Sequence, residues 1–91
     1  MAHIPAALLT LGKISSEFCD VSVATRENLC TPAHTHPSTN YVLVSAGTLY
    51  LTLDGMERAV TAGEWCVIAA GAEHAERFEE ATSVLVFWLK N

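Results

Sequence analysis

Three histidines carry the chemistry that this sequence can offer. His34 and His36 stand two residues apart in CTPAHTHPSTN, and His74 stands by itself in GAEHAERF. In a β-strand, side chains at i and i+2 leave the same face about 6.6 Å apart along the backbone, close enough for two imidazoles to converge on one ion. On a helix the same two side chains would point to different sides. Pro32 and Pro37 bracket the pair. Neither fits a helix interior or a central strand, so the histidines are expected on a short strand or its end, held between two stiff turns. His74 supplies a third imidazole from a distant part of the chain, provided the fold brings it back. Three neutral imidazoles suit a divalent transition metal and leave it open positions, as in catalytic rather than closed structural sites. His3, in the N-terminal run, reads as a solvated terminal side chain and is left out of the set.

The elements that must position these residues read as strands. From Phe18 the period is two: Cys19, Val21, Val23 and Thr25 alternate with Asp20, Ser22, Ala24 and Arg26, which predicts a strand with the Cys19 to Thr25 side buried. Glu27 and Asn28 make a turn. Tyr41 to Ser45 form an almost continuous apolar strand, broken by Ala46 and Gly47. Leu49, Leu51 and Leu53 alternate up to Asp54-Gly55, a dipeptide suited to a type I′ hairpin turn. Further strands follow at Met56 to Val60, Glu64 to Ala69 and His74 to Phe78, and SVLVFWLK is too β-branched and aromatic to prefer helix. Seven or eight short strands with no long helical period predict an all-β domain, a small antiparallel barrel or jelly roll. Residues 1–16 are expected as an N-terminal arm, either a helical turn from Pro5 through Leu11 ended by Gly12 or an edge strand, ahead of a barrel over 18–90.

Composition narrows the partners. A chain of 91 residues holds one core and buries only about 60 to 68 % of its unfolded surface. Yet 51 % of the residues are hydrophobic against 16 % charged, an apolar surplus that predicts a homodimer. A formal net charge of −5 and the lack of a basic stripe remove the counterion-release term that drives nucleic-acid binding, and they disfavour anionic membranes. Cys19, Cys30 and Cys66 follow no CxxC pattern. They read as reduced thiols of a cytoplasmic protein, small and buried, with Cys30 to watch for its closeness to the histidine pair. The N-terminal run lacks the charged region of a signal peptide.

The spacing of these residues resembles that of the cupin superfamily, small β-barrels marked by a glycine–His-x-His–Glu–glycine motif and a second glycine–proline–glycine–His–Asn motif. His34, His36 and Gly47 fall in register with the first, and Gly63, Gly71 and His74 with the second, over roughly residues 18–90. The resemblance implies a metal held by His34, His36 and His74, with Fe(II) or Zn(II) ranked ahead of Ni(II) or Mn(II). The chain departs from the pattern at Asn28 for the first glycine, Ala69 for the proline, Phe78 for the final Asn and, above all, Asn40 for the glutamate. With an amide there, three imidazoles leave a divalent ion both its charges, which favours an anionic ligand or a bound hydroxide. Asn40 is expected as a weak ligand or as a hydrogen-bonding neighbour of the ion.

Parity extends the site. If His36 and Asn40 face inward, so do Val42 and Val44, leaving Tyr41 and Leu43 for the opposite face. Glu76 and Phe78 share the side of His74, although Glu76 also reads as part of an acidic rim with Glu73, Glu79 and Glu80. Trp65, Trp88 and Phe18 read as core or interface packing. Two functions stay open: a metal-dependent enzyme, oxygenase-like or otherwise, acting on a small anionic substrate, and a module that binds or senses a small molecule without turnover.

Overall fold

A computed structural model describes residues 18–90 together with Pro5 and Ala7; the arm expected over residues 1–16 otherwise lies outside the described residues. Among the described residues eight strands follow one another: β1 (Cys19–Arg26), β2 (Leu29–His34), β3 (Asn40–Ala46), β4 (Thr48–Leu53), β5 (Met56–Thr61), β6 (Trp65–Ile68), β7 (His74–Phe78) and β8 (Thr82–Leu89). They pair antiparallel in two four-stranded sheets, ordered β1-β8-β3-β6 and β2-β7-β4-β5. This is the all-β jelly-roll barrel that the alternation predicts.

The turns explain the strand boundaries. Asp54 and Gly55 both take positive φ, 53° and 75°, and so set Leu53 opposite Met56 in the β4–β5 hairpin. Asn28 takes φ 50° in the turn between β1 and β2, where Asn tolerates the left-handed conformation. Gly47 takes φ 79°, and a Cβ on it would fall 2.5 Å from the Ala81 carbonyl oxygen and 2.5 Å from Thr82 Oγ1. That close approach lets the buried Thr82 hydroxyl accept from the Thr48 N–H at 3.1 Å and donate to its carbonyl at 3.0 Å, tying the two sheets at one corner.

Between the sheets lies a core that includes Val44, Leu49, Leu51, Val60 and Ile68, all at most 2 % exposed. Each contributes about 1.5–3 kcal/mol by leaving water. β1 departs from the expected polarity. Val21 and Val23 are 46 % and 72 % exposed and face outward, opposite Phe87 and Leu85, while Ala24 packs against the core. The reason is space: Ala24 on β1 borders a cavity, and its small side chain leaves the cavity open.

The outward faces of the two sheets differ. On the first, Cys19, Phe87, Tyr41, Trp65 and Leu85 form a second apolar cluster. On the second, the Arg77 guanidinium lies 4.1 Å above the Tyr50 ring, bonds Glu57 at 3.0 Å and also reaches Glu79. Cys30 lies across from Arg77 and is exposed, so the expectation of three buried thiols holds for Cys19 and Cys66 alone. Thr31, its neighbour, takes the inward direction, and alternation therefore turns Cys30 away from the histidines.

Candidate metal centre

Strand pairing brings the histidines together. β2 and β7 are adjacent, and His34 at the end of one lies directly across from His74 at the start of the other. β2 is an edge strand, and its register shifts between Thr31 and His34. Pro32 sits within that shift, the place in a sheet where a missing N–H costs least. His36 lies past the end of β2, in the loop before β3. The loop containing Gly71 props it: the Gly71 N–H donates to the His36 carbonyl at 2.8 Å, and the Ala70 N–H donates to Thr39 Oγ1 at 3.1 Å.

The three rings face one another, with centroids 4.2 Å apart for His34–His74, 4.7 Å for His36–His74 and 4.8 Å for His34–His36. Each offers a ring nitrogen within 4.8 Å of the others. The hydrogen bonds fix which nitrogen is free. His34 Nδ1 donates to the Pro32 carbonyl at 2.8 Å, and His74 Nδ1 donates to the Ala72 carbonyl at 3.0 Å. A proton held on Nδ1 leaves the Nε2 lone pair available, the tautomer that ligates metals. His74 Nε2 is buried and has no hydrogen-bond partner, and the same is true of Asn40 Oδ1. Buried polar atoms are seldom left unpaired, so a donor set with orphaned atoms fits an ion.

His36 is arranged differently. Its Nδ1 accepts from the Asn40 amide, Nδ2 to Nδ1 being 3.1 Å, which leaves the ring proton on Nε2. Turning the amide over would place Oδ1 as an acceptor for Nδ1–H and free Nε2. Burial, followed by the neighbouring His74 and His34, holds the His36 pKa below its ordinary value, which favours the neutral imidazole that can ligate. The Trp88 ring meets His36 edge-on at 5.2 Å and is itself held by its Nε1–H donating to Ser22 Oγ at 2.9 Å. Trp88 therefore walls the site rather than packing in the core or an interface, whereas Trp65 packs against Phe87 on the outward cluster.

A cavity of about 420 Å³ opens beside the histidines, bordered at this end by His34, His36, Asn40 and Trp88. Val42, Phe78 and Glu76 border it. Glu76 is half-buried there while Glu73, Glu79 and Glu80 are exposed, so it does not belong to an acidic rim. Val44, expected on the same wall, is fully buried in the core, where β3 runs against β5, and does not border the cavity. Sequence reasoning missed Ala24, Arg26, Val84 and Val86 as lining residues. The alternation of β1 is legible in the sequence, but not that the face with the smaller side chains turns to the cavity.

With this geometry established, the comparisons with known proteins decide the family. A model of the cupin domain matches residues 27–90. The chain belongs to the cupin family. Among solved structures, this cupin is similar to a cupin-2 domain protein from Shewanella frigidimarina, with TM-score 0.75 and 20 % identity over 85 % of this chain and 76 % of that one. A cupin superfamily protein from Desulfitobacterium hafniense gives TM-score 0.76 at 14 % identity, covering 86 % and 72 %. The DMSP lyase DddQ from Ruegeria pomeroyi gives TM-score 0.74 at 24 % identity, covering 84 % of this cupin but 40 % of that longer chain. No curated protein matches the sequence. Among the described residues, no helix is long and apolar enough to cross a membrane.

Proposed function

We propose that this cupin holds a divalent transition metal through His34, His36 and His74 and acts on a small anionic molecule in the adjoining cavity. The observation that carries the reading is the orientation of the imidazoles: His34 and His74 are tied through Nδ1 to backbone carbonyls, and the buried Nε2 of His74 has no partner. Iron or zinc is the favoured ion and nickel or manganese the alternative: imidazole donors suit iron, zinc and nickel, and supply selects among the ions. Such an ion would supply Lewis-acid or redox chemistry at its open positions. The protein's own part is to orient the substrate against the apolar wall, to keep water from Val42 and Phe78, and to offer Glu76 as the cavity's proton acceptor.

Purified protein tests the reading by elemental analysis and by zinc titration in a calorimeter. One equivalent bound by the native protein and none by His34→Ala supports it. Less than about a tenth of an equivalent with no uptake on titration would overturn it.

A second reading is favoured by one observation. Glu76 is the only carboxylate among the described cavity-lining residues, and a site poor in proton carriers suits a module that binds or senses a small molecule. Retained ligand affinity with no turnover in the metal-loaded protein would select it. For either function we propose a cytoplasmic homodimer, supported by the exposed Val21, Val23 and Val67 on the outward apolar face of the first sheet. Light scattering after size-exclusion chromatography measures this, and a monomeric mass would exclude it.

A further inference from the structure

The cavity has a second end. Arg26 closes β1, opposite Thr82, and borders the cavity there. Asp20, six positions back on the same strand, lies opposite Trp88 at the histidine end, so about 20 Å of strand separates the two levels. β2 gives the same order: Leu29 pairs with Phe78 next to the Arg26 turn, and His34 pairs with His74 at the far end. The wall between them is aliphatic, with Ala24, Val84 and Val86 on the β1 and β8 side.

The charges of the described cations are distributed unevenly. Arg77 is paired with Glu57 and Glu79 on the outside of the barrel, and Lys90 is paired with Asp20 at 3.3 Å. The side chains of Arg26 and Arg58, among the described residues, have neither an ion pair nor a hydrogen bond, and of the two only Arg26 borders the cavity, which Glu76 also borders. Glu76 lies between His74 and Phe78, partway along the cavity, and its charge repels an anion at that depth. A negative group entering the cavity is thus directed to the Arg26 end, where a planar guanidinium can take a carboxylate through two parallel hydrogen bonds.

We propose that Arg26 is the anion-recognition residue of this cavity, and that the ligand is a small monocarboxylate with an apolar body whose other end faces the histidines. This rests on the reading of the cavity as the ligand site and names the class of molecule it takes. A volume of about 420 Å³ lies toward the small end of ligand pockets, which suits a short aliphatic or aryl body.

Hexanoate and its uncharged isostere hexanamide serve as probes, titrated by NMR into metal-free and zinc-loaded protein. Hexanoate should shift the methyl signals of Ala24, Val84 and Val86 and bind at least about tenfold more tightly than hexanamide in both forms. In Arg26→Gln the preference should fall to about twofold or less with hexanamide affinity unchanged, and Arg26→Lys should restore part of it. An undiminished preference in Arg26→Gln, or none in the native protein, would overturn the proposal. A preference that survives only in the zinc-loaded variant would place the anion on the metal and overturn it too. If zinc fails to bind while the metal-free protein keeps an Arg26-dependent preference, the metal reading fails and the anion site stands.

Discussion

The two sheets present different inner walls to the same cavity. The wall from β2 and β7 carries polar groups: His34, which His74 backs from the neighbouring strand, and Glu76, whose N–H is held by Thr31 Oγ1 at 3.0 Å. The wall from β1, β8 and β3 is mostly aliphatic, with Ala24, Val42, Val84 and Val86. Asn40 and Trp88, both on the aliphatic sheet, meet the histidines at the seam. One wall can therefore fix an ion, and the other can fix the shape of what approaches it. The difference continues on the outside, where the histidine-bearing sheet is charged and the aliphatic sheet is apolar again. A sheet apolar on both faces is built to be covered on both.

The largest effect should come from the polar wall. His74→Ala is expected to weaken zinc binding by more than about 100-fold, beyond the range set by loss of an orienting partner. Val86→Leu, across the cavity, should leave zinc affinity within about threefold while narrowing the space for a ligand. Calorimetry with zinc compares the two directly, and similar losses would erase the division of labour between the walls.

Thiol chemistry sharpens the same contrast from outside to inside. Cys30 is exposed on the polar sheet, whereas Cys66 is buried beneath the aliphatic one, where burial pushes its pKa up to about 11. That shift alone lowers the thiolate fraction near neutral pH by about 100-fold. Under native conditions iodoacetamide should label Cys30 and spare Cys66, with peptide mass spectrometry as the readout. Equal labelling would mean that the aliphatic sheet opens readily.

At the seam, the Asn40 amide decides whether His36 can join its neighbours. Asn40→Asp supplies an obligate acceptor to His36 Nδ1–H and should tighten zinc binding by about tenfold. Asn40→Leu removes the partner and should weaken it by about 10- to 100-fold. Equal affinities for the two variants would show that Asn40 does not set the state of His36.

How much of this could be read beforehand differs between the walls as well. The polar wall was legible because its residues are chemically distinctive. The close spacing of His34 and His36, the turn glycines and the proline in the edge strand all constrain the backbone, and Gly71 supports the carbonyl of His36. The aliphatic wall was not legible to the same degree. In β8, SVLVFWL is apolar on both faces, so alternation cannot say which side is inner. In β1, Val21 and Val23 are more hydrophobic than Ser22 and Ala24, yet the small residues face inward because the cavity needs room. Arg26 shares the face of Asp20 and Ser22, whose polarity gives no sign that it borders a cavity. The hydrogen bond from Asn40 to His36 joins residues four apart across a loop, and no periodic pattern encodes it.

The smallest effect belongs to the outer face of the polar sheet. Arg77 joins Glu57 on β5 and Glu79 beyond β7 and covers the Tyr50 ring, so it ties three stretches of one sheet across its solvent side. All of these partners keep contact with water, and exposed ion pairs contribute about 0–1 kcal/mol each. Arg77→Met, which keeps much of the stem over Tyr50, should therefore cost about 1 kcal/mol or less in urea unfolding. The loss should shrink at 1 M salt, where screening already weakens the native pairs. A cost of several kcal/mol that persists in high salt would mean that the charged outer face, and not the inner wall, holds the histidine-bearing sheet in register.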